Sequence, residues 1–411
     1  MKKKKILYCE QNTDGTVGGS YYCLLELVQR LDRSRYEPLV VFYTDNSLIP
    51  RFEAAGVDTR IMPPVEPFHF SDWFGERSPL TLGLRPAQRL INTGRRLLWP
   101  ALERARFLKR EGVDLVHLNN SIVLCHDWML GARLAGIPCI THERGVNHHF
   151  PWTARYFARR LEAIVSISGA VTENFRRHGI DYPNIEPIYD GIDVNRLEVR
   201  RSPEELRQTY GVPAQAPVIG VVGNIKRWKG QETVVRATAV VQRQHPDVRC
   251  FVVGAVGSER YHRYLRELCA ELKIEDNVIF TGFQDNIADY MNLMDVVIHS
   301  SVDPEPFGIV LLEGMALQRP VVATNIGAPP EIIVDGESGL LVPPGDAEAL
   351  AASVNSLLSD PQRRRRIGAA ARQRVLNEFS IQRNIAKTEA LYSRIFTTRA
   401  TDAQAPAVSR R

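Results

Sequence analysis

The chain lacks any apolar run that approaches the roughly 18 residues needed to span a membrane. Four lysines follow Met1, but the next segment turns polar too soon for the apolar core of a signal peptide, which runs for roughly 7–15 residues. We therefore expect a cytoplasmic protein whose first strand begins near Lys5. Its 411 residues are too many for one ordinary core and predict two domains.

Cysteine is scarce, and its six positions include no C-x-x-C pair. In a large cytoplasmic chain this pattern predicts reduced thiols rather than a disulfide framework. Cys139 and His142, with His148 and His149 downstream, suggest a zinc site, but no second pair has the required spacing. No D-x-D sequence is placed to hold a metal either. We therefore expect no metal in this protein.

Acidic residues are nearly absent between Arg85 and Arg110, although the net charge of the whole chain is only +5. Trp99 and several leucines lie between the cations. A basic stretch with an apolar face is typical of a helix on an anionic membrane surface, and a solvated arginine-rich helix packed on a core fits equally well. No nucleic-acid-binding motif accompanies the stretch, so we expect no nucleic-acid partner. Its eight basic residues are Arg85, Arg89, Arg95, Arg96, Arg104, Arg106, Lys109 and Arg110.

Strand-like apolar runs alternate with helical patterns along almost the whole chain, which predicts parallel βαβ units and an α/β fold. A stretch rich in proline and charge separates two such series. We expect domains at residues 1–195 and 196–378, a C-terminal helix at 379–396 that crosses back to the first domain, and a disordered tail at 397–411. The proline- and aromatic-rich segment 62–84 is expected to be a functional or mobile loop, because it is too long for a routine connection.

The first strand is followed by Gly18 and Gly19, but the G-x-G-x-x-G fingerprint of dinucleotide-binding proteins is missing. Two glycines at a helix start let a phosphate or a sugar approach the backbone closely. A tight turn explains the same pair equally well. Ligand binding is therefore one of two open interpretations of these glycines.

A second helix start carries a stronger signal, the sequence E-P-F-G-I-V-L-L-E that begins at Glu305 and ends at Glu313. A turn opens here into an apolar run. The free N–H groups of the first helical turn and the positive end of the helix dipole favour a phosphate. The two carboxylates can accept hydrogen bonds from hydroxyls on either side of it. This arrangement predicts a site for a nucleoside-diphosphate sugar. The first turn consists of Gly308, Ile309 and Val310.

This nine-residue pattern resembles the E-x7-E motif of retaining glycosyltransferases of the GT4 family. In that family two Rossmann-like domains face each other across a deep cleft, the GT-B fold. The sequence G-N-I-K-R-W-K-G at 223–230 is similar to the family's G-R-x-x-x-x-K-G, with Asn224 in place of the arginine. The sequences G-A-P-P-E at 327–331 and D-G-E-S-G-L-L-V at 335–342 resemble two further family motifs.

The resemblance implies transfer of a sugar from a nucleoside diphosphate to a hydroxyl, with retention of the anomeric configuration. Glu305 would bind hydroxyls of the donor sugar, and Glu313 would bind the ribose. Lys229, with Arg227 or Lys226, would stabilise the leaving diphosphate, because fixed cations stabilise charge that develops there.

Three further positions take their expected roles from the same resemblance. Gly282 and Phe283 follow a strand at the place where related enzymes hold the base with backbone groups. His142 ends a strand of the first domain, at the carboxyl edge where open α/β sheets bind ligands, and would orient the donor sugar. His117, His126, His148 and His149 compete for that role.

The expected partners are a nucleotide-sugar donor and a glycan or glycolipid acceptor, for which a lipid-linked or envelope glycan fits the basic apolar stretch. The donor is a substrate, and no separate cofactor is expected. The enzyme would lie in the cytoplasm, with a candidate peripheral contact to the cytoplasmic face of the membrane. Three alternatives stay open: a nucleotide-sugar epimerase, a sugar phosphorylase, and a non-catalytic protein docked on the membrane through residues 85–110.

Overall fold

A computed structural model describes residues 2–13, 17–75 and 77–404 of the chain. The chain divides into two compact α/β units. The first contains Met1–Ile167, Val171–Ile188 and Ile385–Arg411, and the second contains Ser168–Ala170 and Tyr189–Asn384. Each unit is built around one parallel sheet with its own core.

The first unit is built on a seven-stranded sheet whose strands all run parallel. Its central strands are almost fully buried, as expected for a parallel sheet covered by helices on both faces. The strands are β1 (Lys4–Glu10), β2 (Tyr36–Phe42), β3 (Asp58–Ile61), β4 (Leu115–Leu118), β5 (Cys139–Glu143), β6 (Ala163–Ser166) and β7 (Ile185–Pro187). Their spatial order is β3-β2-β1-β4-β5-β6-β7.

Nine α-helices connect the described strands of this unit. A π-helical turn at Gly94–Leu98 joins two of them, α5 and α6, into one nearly continuous rod. The helices are α1 (Gly19–Arg30), α2 (Ile49–Ala54), α3 (Ser71–Phe74), α4 (Pro79–Gly83), α5 (Arg85–Thr93), α6 (Trp99–Arg110), α7 (His126–Ala135), α8 (Trp152–Ala158) and α9 (Gly169–Arg177).

The second unit repeats the same design with a six-stranded parallel sheet. Short apolar runs such as Val218–Val222 are buried along their whole length. The strands are β8 (Val218–Val222), β9 (Arg249–Val253), β10 (Val278–Gly282), β11 (Val296–His299), β12 (Val321–Thr324) and β13 (Leu340–Val342), in the order β10-β9-β8-β11-β12-β13.

Helices also cover the sheet of the second unit. Two 3₁₀ turns, Val194–Arg196 and Arg227–Lys229, occur in its loops. Its α-helices are α10 (Pro203–Thr209), α11 (Gln231–Gln242), α12 (Glu259–Glu271), α13 (Ile287–Leu293), α14 (Ile309–Ala316), α15 (Pro329–Ile332), α16 (Ala347–Leu358) and α17 (Pro361–Glu378). The last helix, α18 (Ile381–Gln404), begins in this unit and continues into the first.

Both sheets have a topological switch point, the place where the strand order reverses direction. It lies between β1 and β4 in the first unit and between β8 and β11 in the second. Loops that leave neighbouring strands at a switch point diverge to opposite faces of the sheet and open a crevice at the carboxyl ends of the strands. The fold therefore offers one crevice in each unit.

The last helix differs from its sequence-based expectation. Residues 397–404 continue α18 rather than starting a disordered tail, and residues 405–411 lie outside the described part of the chain. From Ile385 onward the helix belongs to the first unit. The hydroxyl of Tyr392 lies 3.0 Å from the hydroxyl of Tyr8 and 2.6 Å from His117 Nδ1, so buried polar contacts secure it against the first sheet.

The segment 62–84 is not a plain loop either. It contains the short helices α3 and α4, and Phe68, Phe70 and Trp73 pack edge to face within it. The sequence did not indicate these helices because each is only about one turn long, too short for a helical period to be visible.

Candidate active site

The switch point of the second unit brings together the two loops that carry the strongest sequence signals. Strands β8 and β11 are hydrogen-bonded neighbours. The loop after β8 carries Lys229, and the loop after β11 carries Glu305. Because both strands end at the same edge of the sheet, these two side chains meet: Lys229 Nζ lies 2.7 Å from Glu305 Oε2.

Close backbone packing determines where the Lys229 side chain points. The hydroxyl of Ser300 donates a 2.8 Å hydrogen bond to the carbonyl oxygen of Lys229. The next residue, Gly230, has φ +69°, and a Cβ atom there would lie 1.9 Å from the carbonyl oxygen of Ser300. Only glycine allows this approach, which explains why a Lys-Gly pair ends the basic loop.

The Glu305 carboxylate is almost fully buried, with 7% of the residue exposed. One of its oxygens, Oε2, accepts hydrogen bonds from Lys229 Nζ at 2.7 Å, from the Ser301 hydroxyl at 2.9 Å and from His299 Nε2 at 3.1 Å. The other oxygen, Oε1, makes no hydrogen bond within the described residues. The carboxylate is thus held by one oxygen, and the second oxygen is left to accept from a ligand.

These contacts keep Glu305 ionised. Burial alone would raise its pKa, but the hydrogen bond and electrostatic interaction with His299, together with those of Lys229, outweigh burial and lower the pKa to about 2. An acid with such a pKa holds no proton to give at neutral pH. Glu305 can therefore accept hydrogen bonds from hydroxyls or stabilise positive charge, but it cannot serve as a general acid.

Sequence reasoning missed His299 and Ser301, although both contact the Glu305 carboxylate. His299 ends β11 at the carboxyl edge of the sheet, and this position was a usable signal. Since a carboxylate oxygen can only accept, His299 must carry its proton on Nε2. Its Nδ1 is buried and has no hydrogen-bond partner in the described part of the protein.

The helix after Glu305 starts as the sequence predicts. Helix α14 begins at Ile309, and Gly308 caps it with φ +100° and no side-chain hydrogen bond. The first-turn N–H groups of an α-helix have no acceptor within the helix, so the turn Gly308–Val310 can bind an anion. The position of Glu305 is fixed in part by Gly327, where a Cβ atom would lie 2.4 Å from the Glu305 backbone.

Glu313 lies one turn further along α14 and is half-buried. Burial raises its pKa to about 7, and within the described residues its carboxyl group makes no hydrogen bond or ion pair. Without a protein partner, this carboxyl group is available to a ligand hydroxyl.

The other basic residues of the loop after β8 point away from Glu305. The Arg227 guanidinium lies over the ring of Tyr261, 5.5 Å from its centroid, and Lys226 packs along Gly257. Asn224, which replaces the family arginine, is exposed, and its carbonyl oxygen accepts from Gln231. Among the cations expected here, the structure places Lys229 alone beside Glu305.

Gly282 and Phe283 lie at the end of β10, near the same edge of the second sheet. Gly282 has φ +69° and accepts a hydrogen bond from the N–H of Gly254. Phe283 is 69% exposed, which is unusual for a large aromatic side chain. Its ring is free to stack on a flat ligand.

The remaining predicted residues belong to the first unit. Gly18 and Gly19 start α1 with open space around their Cα atoms. His142 is only 2% exposed and stacks on His117, with ring centroids 5.4 Å apart. Burial, with the charge of Arg144, lowers its pKa well below the ordinary range, so the ring is neutral. Its expected contact with the donor sugar stays a prediction.

The structure divides the basic stretch between Arg85 and Arg110 into two kinds of residue. Arg104 is buried; it pairs with Asp127 at 3.4 Å and lies over the ring of Trp128. The other basic residues of the stretch are exposed. Within the described residues, none of the helices combines the length and apolar character needed to cross a membrane. The same residues contain no cluster of three His, Cys, Asp or Glu side chains that could hold a metal ion.

We expect strong energetic coupling between Lys229 and Glu305. In a double-mutant cycle with Lys229→Met and Glu305→Gln, the coupling free energy from urea unfolding should be about 2 kcal/mol, because the pair is largely shielded from water. The exposed pair Arg200–Glu198, substituted Arg200→Met and Glu198→Gln, is the matched control and should couple by less than about 0.5 kcal/mol. Equal coupling in the two cycles would contradict the assigned contact.

Glu313 should make stability depend on pH. Because its pKa is raised from 4.5 to about 7, the folded state binds more protons than the unfolded state between these values, and stability falls as pH rises through that window. The substitution Glu313→Gln removes this pH-dependent loss of stability. Relative to wild type, the variant should gain about 3 kcal/mol between pH 4.5 and pH 8 in urea unfolding, because each pKa unit corresponds to about 1.4 kcal/mol. The exposed Glu337→Gln is the control, and a pH-independent difference for Glu313→Gln would refute the assignment.

Two family models match the chain, one in each half. Glycosyltransferase Family 4 matches residues 17–196, and Glycosyl transferases group 1 matches residues 202–374. Together they extend over most of the two units, and the second contains both Lys229 and Glu305.

Known proteins resemble the chain over most of its length. N-acetyl-alpha-D-glucosaminyl L-malate synthase of Bacillus anthracis is 27% identical over 71% of this chain and 77% of its own. The lipopolysaccharide core biosynthesis mannosyltransferase LpsB of Rhizobium meliloti is 27% identical over 60% of this chain and 69% of its own. Two crystal structures of Anabaena Alr3699/HepE also resemble this chain, and each covers 95% of it and 99% of the other chain. The structure with UDP has 25% sequence identity and a TM-score of 0.78, and the structure with UDP-glucose has 26% and 0.75.

The predicted fold and enzyme class are confirmed by these matches, which agree in both halves of the chain. Two parallel-sheet α/β domains and the matched family models have one explanation: the chain belongs to the group 1 glycosyltransferases of family 4, with the GT-B fold.

Proposed function

We propose that this glycosyltransferase moves a sugar from a nucleoside-diphosphate donor to a hydroxyl of a glycan or glycolipid acceptor, with retention of the anomeric configuration. The observation that carries the proposal is the ionised Glu305 carboxylate, whose Oε1 has no hydrogen-bond partner among the described residues, just before the start of α14, where Gly308 supplies no side-chain cap. Such a pair of features can bind a sugar and its diphosphate side by side. The relative Alr3699/HepE, which has been solved with UDP-glucose bound, supports this class of donor.

The donor would bind along the carboxyl edge of the second sheet. The diphosphate rests against the N–H groups of Gly308–Val310, where the helix dipole favours negative charge. Glu313 accepts hydrogen bonds from the ribose hydroxyls. Gly282 and Phe283 hold the base, the first through its backbone and the second through its exposed ring.

Lys229 and Glu305 would act on the reacting part of the donor. As the bond between the anomeric carbon and the diphosphate breaks, the leaving group gains negative charge, and the Lys229 ammonium stabilises it. In the structure this ammonium already contacts Glu305, so it is positioned before the donor arrives. The free Oε1 of Glu305 accepts hydrogen bonds from donor-sugar hydroxyls. Arg227 or Lys226 adds a second cation on the diphosphate if the loop rearranges around the ligand.

The chemical step would occur on one face of the sugar. The acceptor hydroxyl attacks the anomeric carbon from the face that the diphosphate leaves, and a phosphate oxygen of the leaving group takes the hydroxyl proton. One carbon–oxygen bond breaks and one forms on the same face of the sugar, and the configuration of the anomeric carbon is therefore retained. Glu305 need not be a nucleophile, because the same-face step retains the configuration without a covalent bond between the sugar and the enzyme.

Donor binding and transfer can be tested separately. Of UDP-, GDP- and ADP-glucose, at least one should raise the melting temperature of the wild type, because a ligand that binds only the folded state stabilises it. With that donor, Glu305→Gln should reduce release of the nucleoside diphosphate by about 100-fold or more, as expected for loss of an interaction at the reacting centre. The exposed Glu198→Gln should leave the rate unchanged.

Other outcomes identify the alternatives. Conversion of the donor sugar to its epimer without acceptor would indicate an epimerase, and turnover that requires inorganic phosphate would indicate a phosphorylase. An unaffected rate in Glu305→Gln would contradict the site assignment. An inverted anomeric centre in the product, read from its proton coupling constants by NMR, would contradict retention.

We also propose that the reaction requires no metal ion, because Lys229 and the start of α14 supply the positive charge that a metal would otherwise provide. Activity should persist in millimolar EDTA at no less than about half its original rate. Complete loss that only Mg²⁺ or Mn²⁺ restores would refute this part of the proposal. A known metal-dependent glycosyltransferase treated in parallel is the control for effective chelation.

A further inference from the structure

The exposed apolar surface of this protein is concentrated in one segment of the first unit. More than half of the exposed large hydrophobic side chains in the described chain lie between Ile61 and Leu102. Leu90 is 76% exposed and Trp99 is 60% exposed. Exposed apolar side chains scattered singly need no explanation, whereas a contiguous group of them marks a binding surface.

Two cavities lie side by side along the rod formed by α5, the π turn and α6. An apolar groove of about 720 Å³ follows the stripe Leu90, Leu98 and Leu102, with Ile91 and Trp99 beside it. A polar cavity of about 800 Å³ follows the stripe Gln88, Asn92 and Arg96, with Arg89 beside it. Residues four apart share one face of a helix, so the two stripes are adjacent faces of one rod. Both cavities also contact Val65.

The polar cavity lies at the switch point of the first sheet. Gln11 and Asn12, which follow β1, contribute to its wall, and so do Val123 and Cys125, which follow β4. This is where open α/β sheets bind their ligands. The cavity is therefore the expected ligand crevice of the first unit, and its outer wall is the amphipathic rod.

The charge of the polar cavity favours an anion. Arg89 and Arg96 are exposed, and neither has an ion-pair partner among the residues that the structure describes. Among the described residues, Asp127 is the one acidic residue that lines the cavity, and its carboxylate already pairs with Arg104. Two guanidinium groups with no neutralising acid in this described lining suit a phosphate, which arginine binds through two parallel hydrogen bonds.

The rod is locally distorted between the two cavities. Gly94–Leu98 forms a π-helical turn, and Gly94 and Leu98 line the apolar groove while Arg96 and Leu97 line the polar cavity. Such turns are rare and occur frequently at functional sites. The distortion thus falls at the segment that contributes to both cavities.

We propose that the acceptor is a single anionic amphiphile, a glycan linked to a lipid through a phosphate or diphosphate, whose sugar supplies the hydroxyl that attacks the donor. Its phosphate binds Arg89 and Arg96 in the polar cavity, and its hydrocarbon chain lies in the apolar groove of Leu90, Leu98 and Trp99. This inference rests on the proposed function, because it names the acceptor class of that reaction. It also explains why Arg89 and Arg96 line one cavity of the rod and Leu90, Leu98 and Trp99 line the next: one ligand contains both chemistries.

The first test uses geranylgeranyl diphosphate as the probe, with the full chain below the critical micelle concentration of the lipid. The probe should bind the wild type and shift its tryptophan emission, because Trp99 lines the groove. Arg89→Gln/Arg96→Gln should weaken binding about tenfold or more. Arg85→Gln/Arg106→Gln removes the same charge from exposed positions that line neither cavity, and should change the Kd by less than about twofold.

The hydrocarbon contribution is tested with a second matched pair. Leu90→Ser/Leu98→Ser should weaken binding of the same probe by about tenfold, because two apolar contacts in the groove are lost. Leu80→Ser/Leu82→Ser, at exposed positions of α4 outside the groove, is the control and should bind like the wild type. Inorganic diphosphate lacks the hydrocarbon chain of the probe, and geranylgeraniol lacks its diphosphate. Each should therefore bind the wild type at least tenfold more weakly than the intact probe.

Several results would overturn the inference. If both arginine double variants weakened probe binding equally, the probe would be attracted by the general positive charge of the protein rather than by Arg89 and Arg96. If the protein preferred phosphatidylglycerol vesicles and the probe did not compete with them, the surface would bind the bilayer itself. If Leu90→Ser/Leu98→Ser bound the probe as tightly as the wild type, the apolar groove would not be the site of the hydrocarbon chain. Thermal shift with the nucleotide-sugar is measured in every variant: if the wild type binds no donor, the proposed function fails, whereas donor binding with no probe binding contradicts the acceptor class alone.

Discussion

The second unit depends on one buried contact, the Glu305 carboxylate held by Lys229, His299 and Ser301. A carboxylate removed from water is stable only where opposite charge and hydrogen-bond donors compensate for its lost hydration. All three donors converge on Oε2, and Oε1 has no hydrogen-bond partner in the part of the chain that the structure describes. The loops after β8 and β11 are thereby joined, and a ligand-accepting oxygen is placed next to the start of α14.

The parallel sheet explains why these groups come from distant parts of the sequence. Lys229 and Glu305 are 76 positions apart, yet they follow strands that are neighbours in the sheet. Glycine residues allow the loops that carry Lys229 and Glu305 to pack closely. Gly230 packs against the carbonyl of Ser300, and Gly327 packs against the backbone of Glu305, at distances that a Cβ atom would prevent. Binding geometry in this unit is therefore a property of backbone packing as much as of the charged side chains.

The crevices of the two units are lined by different kinds of side chain. In the second unit, fixed positive charge and a helix start surround one ionised acid. In the first unit, the crevice is bordered by a rod with cations on one face and exposed apolar side chains on the next. A donor that consists of sugars and phosphates suits the former, and an amphiphilic acceptor suits the latter. The difference between the two crevices follows from their side chains, since the sheets that carry them share one topology.

The sequence by itself determined the alternation of strands and helices, the two-domain α/β fold, and the helix start between Glu305 and Glu313, because these depend on local periodicity and on short motifs. Tertiary structure decided which cation meets Glu305: of the three candidates in the loop after β8, Lys229 contacts the carboxylate, while Arg227 lies over Tyr261 and Lys226 packs along Gly257. It also placed His299 and Ser301 on the carboxylate, contacts that required knowing which strands are neighbours. In the basic stretch, the sequence could not separate the buried Arg104 from the exposed Arg89 and Arg96, because solvent exposure depends on what packs against the helix.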